Sequence, residues 1–260
     1  MLTITGAQIE QYMAIFMFAS LRMFGLFLTT PMFAFRTFPM QFRLLIALSF
    51  ALYLMPLIAN HQIPNPGSIT FFASVIELCI GAFVGFVIRV GFMVIDIAAE
   101  VLSFQAGFSF ASTFFRDPNL DSGLVGQFLG LIALALAFSL NIHLVLIEVV
   151  LKSFTNIPIG VWPSAWTSQG IVELVATSFR LGLILSMPVL LVYIMFNLTQ
   201  AFLGRTSPQM NLFSVGFAVS IPLAFLVIFM ILPDLQIVLV RSLENPMQLI
   251  RQGLEISVAR

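Results

Sequence analysis

Charge is what this sequence has least of. Only 8% of its 260 residues are Asp, Glu, Lys or Arg, whereas 60% are hydrophobic and the mean hydropathy is +1.08. A water-soluble fold needs a polar surface, so this balance excludes one and identifies an integral membrane protein. Eleven basic and eleven acidic residues leave a net charge of zero. With no basic patch to attract phosphate, nucleic-acid binding is excluded. The single cysteine, Cys79, can form no internal disulfide, and a cysteine-based metal site is excluded with it. Lysine is equally scarce, since ten of the eleven basic residues are Arg and the exception is Lys152. Arginine's planar, weakly hydrated fork suits buried pairing, so these charges are expected to face protein more often than water. Three Tyr and two Trp stand against 29 Phe, although a belt at the lipid headgroups would favour Trp and Tyr. Only Trp162 and Trp166, around Pro163, read as interface anchors.

What the chain does have is long apolar runs. The first eleven residues, MLTITGAQIEQ, carry no Lys or Arg and include Glu10, so they lack a secretory n-region and the first run is expected to be retained. Six segments follow: Tyr12 to Phe35, Leu44 to Ala59, Ile69 to Phe104, Leu124 to Leu151, Ile171 to Leu203 and Leu212 to Val240. All six read as helices, which predicts an all-α membrane protein of about six long, kinked helices arranged in hairpins. The breaks between them are too short for a soluble domain. Six spans place both termini on one side, but the positive-inside count ties: Lys152, Arg241, Arg251 and Arg260 against Arg36, Arg43, Arg116 and Arg205.

The third segment does not suit lipid. Its 36 residues would run about 54 Å against a hydrocarbon core of about 30 Å. It also holds Glu77, Arg89, Asp96 and Glu100. At mid-membrane the four charges would cost roughly 10 to 14 kcal/mol, while its Leu, Ile, Val and Phe side chains return roughly 6 to 12. Such a helix is expected to pack among protein helices. Gly81-xxx-Gly85 and Gly126-xxx-Gly130 set small residues one turn apart, a pattern that lets helix backbones approach closely.

Catalytic motifs are missing. His61 lies in a polar loop and His143 in an apolar run beside Asn141, neither with a Cys, Asp or Glu at metal-ligand spacing. His143 reads as a hydrogen-bonded helical histidine. No GxSxG elbow and no phosphate-cradling glycine loop occurs, so the sequence predicts no enzyme, no metal and no cofactor. Arg89, Asp96 and Glu100, spaced seven and four apart, share one helix face. They form either a network that orients neighbouring helices or a proton relay. Glu148 and Lys152 form a helix-end i,i+4 pair.

Two breaks stand out. Gln105 to Gly123, QAGFSFASTFFRDPNLDSG, sets Phe108, Phe110, Phe114 and Phe115 among small residues. Four Phe in water would be unfavourable, so they must pack in the same chain, on a partner or inside a closed pore. Gly204 to Gly216, GRTSPQMNLFSVG, reads as a tight polar hairpin between two long helices, able to bond exposed helix-end carbonyls or to dock a partner.

Here Arg205, Pro208, Gln209, Met210, Asn211, Phe213 and Gly216 resemble the R-x-x-P-Q-M-N-x-F-x-x-G signature of the FliR/SctT family of type III export-gate components. The likeness continues through AGFSFASTF and its DP, through Pro31, Phe35, Pro39 and Arg43, and through overall length and hydropathy. The QMN triplet followed by Gly216 and Phe217 is more similar to the flagellar than to the injectisome branch. The resemblance implies a non-enzymatic gate subunit, assembled with FliP and FliQ into a channel for unfolded flagellar proteins in the bacterial inner membrane, at the basal body. FlhB and FlhA are then expected partners and secreted flagellar proteins the substrates. Residues 1–170 would correspond to a FliP-like part and 171–260 to a FliQ-like helical hairpin with a short tail. Phe108, Phe110, Phe114 and Phe115 would occupy the position of the family's channel plug. Two other readings stay open at this point: a stand-alone proton-coupled transporter using Arg89, Asp96 and Glu100, and a membrane enzyme built on His143.

Overall fold

Proline, glycine and one asparagine mark several of the helix ends in these apolar runs, although Pro56 and Pro188 lie inside helices. The computed structural model describes residues 6–33, 39–59, 71–107, 123–164, 166–207 and 212–258. Among them every regular element is a helix: α1 (Gly6–Thr29), α2 (Met40–Ala59), α3 (Phe71–Ala106), α4 (Gly123–Ser139), α5 (Ile142–Asn156), α6 (Ser168–Thr206) and α7 (Leu212–Val258). The protein is all-α.

Local chemistry accounts for the ends. After α1, the Thr30 amide still reaches the Leu26 carbonyl (3.0 Å), but Pro31 has no N–H to continue the ladder. Gly107 closes α3 with a φ of 81°, and its amide bonds the Phe104 carbonyl (3.2 Å). The expected single helix from Leu124 to Leu151 is instead two, α4 and α5. Asn141 sits between them in the left-handed conformation (φ 56°, ψ 26°), which Asn tolerates better than most side chains. Ile157 is extended ahead of Pro158 and ends α5. At the head of α6 the Thr167 hydroxyl accepts from the Gly170 amide (3.3 Å), one of the donors a helix start leaves free. The final helix runs to Val258, well past the expected end at Val240.

Six spans become four by length and composition among the described residues: Gln8–Thr29, Phe71–Ala106, Ser168–Thr206 and Ala218–Leu254. A fifth results if the bent pair Val125–Ser139 and Ile142–Asn156 is one broken crossing. The apolar part of α2, Met40–Pro56, is too short to count. The most apolar stretch of α3 is 61% buried, against 28% in α6 and 33% in α7. So α3 is the most buried of these four long apolar helices, as expected of a helix packed among protein helices.

Two compact units form, neither continuous in sequence. The first comprises residues 1–90, 137–174 and 244–260, and the second 91–136 and 175–243. In the first, α1 is the core: Phe18, Ala19, Met23, Leu26 and Phe27 are fully buried, and α2 packs along it. In the second, Ile95 and Leu102 of α3, Leu129 of α4, Leu185 of α6 and Ile228 and Leu235 of α7 line a small aliphatic cavity.

Candidate functional site

The first unit is organised around a charge. Arg22 lies three-quarters of the way along α1, fully buried, and its Nε donates to Glu77 Oε2 at 2.7 Å. Nη2 is 2.7 Å from the same oxygen but off the line a hydrogen bond needs, so that contact is Coulombic. Nη1 donates to the Ser153 hydroxyl (2.8 Å), which in turn donates a hydrogen bond to the Val150 carbonyl (2.6 Å). The guanidinium carbon stands 4.0 Å above the Phe154 ring, a cation–π contact in a dry setting. Glu77 Oε1 accepts from the Gly160 amide at 3.0 Å, where a φ of 79° turns the chain after α5. One ion pair thus joins α1, α3, α5 and the following turn.

Backbone contact makes this pairing possible. A Cβ on Gly81 would overlap the Arg22 carbonyl, and one on Gly25 would overlap the Leu78 carbonyl. A Cβ on Gly85 would meet Thr29 Oγ1. That hydroxyl lies 2.9 Å from the Ala82 carbonyl across the helix pair and 3.1 Å from Gly25's in its own helix. Gly81 and Gly85 therefore lie where α1 and α3 touch. Gly130 faces open space within this chain, and Gly126 beside it is half-buried.

The remaining charges of α3 behave differently. Arg89, Asp96 and Glu100 are all exposed, so Glu77 alone of the four is buried. Glu148 and Lys152 pair at 2.6 Å on α5, both more than half exposed. A pair so open to solvent adds little to stability.

The aromatic anchors divide. Trp162 remains exposed, but Trp166 is buried, its ring stacked 4.5 Å from that of Phe83 and its Nε1 without a hydrogen-bond partner. Gly253 of α7 lies so near that a Cβ there would overlap Nε1. Trp166 is thus a core residue, not an interface anchor. The Nδ1 of His143 is buried without a hydrogen bond, and the ring leans on Phe138, centroids 5.1 Å apart.

In the second unit a polar seam closes the end of α3. The fully buried Tyr193 of α6 donates its hydroxyl to the Ser220 carbonyl (2.9 Å). The Ser220 hydroxyl in turn donates to the carbonyl of Ala106 (2.8 Å), the last residue of α3. Nearer the end of α6, Gly216 lets the Gln200 amide lie against α7, where a Cβ would stand 2.7 Å from Nε2.

Of the other residues singled out from the sequence, Arg205 is exposed in the last turn of α6. Phe213 lies in the first turn of α7, while Pro208, Gln209, Met210 and Asn211 fall outside the described residues, as do Phe108, Phe110, Phe114 and Phe115. No three His, Cys, Asp or Glu gather as a metal site among the described residues. Arg22 and Ser153 went unnoticed in the sequence. A signal for Arg22 existed: a lone Arg in the first apolar run and a lone Glu early in the third are natural partners inside a membrane protein. Ser153 had none.

Comparison with known proteins matches residues 13–245 to the family model described as bacterial export proteins, family 1. The chain is 30% identical to the flagellar biosynthetic protein FliR of Caulobacter vibrioides over 217 residues, covering 82% of this chain and 85% of that one. It is 25% identical to the FliR of Escherichia coli over 236 residues, covering 90% of both chains. The FliR of Bacillus subtilis is 26% identical over 255 residues, covering 90% of this chain and 95% of its own.

Proposed function

From the fact that this chain belongs to the bacterial export proteins, family 1, we propose that it is a membrane subunit of the flagellar type III protein export gate. The observation that carries this is the match to FliR proteins of distant bacteria along nearly the whole chain. With FliP and FliQ it forms the channel that passes unfolded flagellar proteins across the inner membrane at the basal body, with FlhB and FlhA as further partners.

The physical features suit a shared channel better than a solitary transporter. Long helices that leave large apolar side chains exposed, such as Phe202 and Phe229, need covering by lipid or by other subunits. At about 54 to 70 Å, α3, α6 and α7 exceed the roughly 30 Å of hydrocarbon, so part of that covering is protein. A relay for coupled transport would line an interior path, whereas Arg89, Asp96 and Glu100 are exposed. The division at residue 170 falls beside the head of α6 at Ser168, which supports reading 171–260 as a FliQ-like hairpin.

Phe108, Phe110, Phe114 and Phe115 close the channel in the resting state, and a secreting state moves them aside. Mass measurement on the complex purified from detergent tests the assembly: the chain should carry two smaller hydrophobic hairpin proteins with it. Recovery of a stable, isolated chain with proton-coupled uptake, abolished in Asp96→Asn, would favour the transporter instead. Closure is tested by Phe110→Ala with Phe114→Ala, expected to make the assembled gate leak small ions; an unchanged permeability removes the plug role.

A further inference from the structure

Proline inside a helix removes a backbone bond, and the second unit sets three there among its described residues: Pro188 in α6, and Pro222 and Pro233 in α7. Each lacks the N–H that would bond the carbonyl four residues back, so Ile184, Ala218 and Phe229 lose the bond their helix would give them. All three prolines and all three of those residues are exposed. No side-chain donor among the described residues reaches the three carbonyls. Where helices touch inside this unit the chain does supply such donors, Tyr193 to the Ser220 carbonyl and Ser220 to that of Ala106. On α7 the freed carbonyls share one face, because Ala218 and Phe229 are three helical turns apart, as are Pro222 and Pro233. Asp234, exposed directly after Pro233, forms no ion pair among the described residues. All of these α7 residues lie in the apolar span Ala218–Leu254.

Three surroundings could cover this face, and two of them fail. Hydrocarbon has no donor, so it would leave both carbonyls and the carboxylate unpaired. Water would satisfy them but wet the rings of Phe225 and Phe229, which stand 61% and 77% exposed on the same face. A protein helix can serve both needs at once. We propose that this face of α7, residues 218–240, seats a helix of a neighbouring membrane subunit that is apolar but carries Ser, Thr, Asn or Gln donors roughly eleven residues apart, with a Lys or Arg at the level of Asp234. The seat rests on the reading of the chain as one subunit of a gate, and it adds the chemistry by which a neighbour recognises α7. The freed carbonyls fix the register of the neighbouring helix, and the carboxylate fixes its charge.

The test uses the assembled complex in lipid vesicles, with Phe229→Cys or Gln236→Cys introduced beside Cys79→Ser. Both new thiols should resist a membrane-impermeant maleimide and a lipid-soluble one alike, and react with either once the complex is denatured. Reaction with the impermeant reagent would mean a water-filled path along this face, and reaction with the lipid-soluble reagent alone would mean lipid; each overturns the seat. Should Phe229→Cys fail to assemble, Gln236→Cys, which removes no large apolar side chain, decides by the same criteria. The charge is read from the subunits retained per chain, counted by mass. Asp234→Glu should match the parent, Asp234→Asn should retain roughly tenfold fewer, the loss of one charge-assisted hydrogen bond, and Asp234→Lys fewer still. Equal retention in all three overturns the cation at that level. A parent chain that purifies alone would remove the gate reading and the seat together, whereas an intact complex with reactive thiols removes only the seat.

Discussion

Arg22 and Glu77, 55 residues apart in the chain, meet at 2.7 Å with no solvent exposure on either side chain. Neither could stay buried alone. The carboxylate's other oxygen is held by the Gly160 amide and the guanidinium's Nη1 by Ser153, so the charges are compensated on both ends. Removing one partner strands the other, which for a buried pair costs about 3 to 5 kcal/mol, more than the net worth of the pair itself.

That asymmetry is measurable. Arg22→Met or Glu77→Gln alone should sharply lower the melting temperature and recovery of the detergent-purified protein. Arg22→Met combined with Glu77→Leu should recover part of the loss. Two single effects that simply add in the double variant would mean that the residues do not interact.

Gly81 makes the ion pair reachable, since its backbone lies against the Arg22 carbonyl. Gly81→Val is expected to push α1 and α3 apart and to destabilise by about 1 to 3 kcal/mol, the range for overpacking a filled contact. Gly130→Ala serves as the comparison, because nothing stands within 4 Å of the added methyl. Thermal unfolding of the two variants side by side settles the matter, and an equal response would refute the steric account.

Asn141 separates α4 from α5 with its φ of 56°. Gly there should be harmless, whereas Val should cost about 1 to 2 kcal/mol, because a branched Cβ crowds the following carbonyl in the left-handed region. Should Asn141→Val melt at the parent temperature, the break would owe nothing to Asn141's conformation.

Gly253 is pressed against the indole of Trp166. In Gly253→Ala the new methyl must displace the ring from its stack on Phe83, exposing it. Tryptophan emission should move to longer wavelength, and stability should fall. An unshifted spectrum would contradict the packing, and Trp162→Phe as background removes the second emitter.

Most of the helical content was legible because apolar runs without strand alternation leave few options, and Pro31, Gly107 and Pro158 mark ends by local chemistry. The break at Asn141 was not legible. Asn occurs inside helices too, and its left-handed geometry becomes visible only in the chain's path. Trp166 looked like an interface anchor by composition, yet stacking on Phe83 buries it. In α3, four charges in one apolar run looked alike, but Glu77 is buried against Arg22 and the other three are exposed.

Composition and hydrophobic runs, which are properties of neighbours along the chain, were enough to establish a membrane-inserted all-α protein and to demand protein packing around α3. Partnership across the fold was beyond their reach. That Arg22 finds Glu77, that Ser153 and Gly160 complete them, and that Ser220 caps Ala106 depend on which helix faces touch. Close backbone approach at Gly25 and Gly81 sets that contact; the small-residue spacing marks a packing face in the sequence, but which helix meets that face is decided only in the fold. The scarce charges that first set this chain apart therefore acquire separate roles only when it is folded.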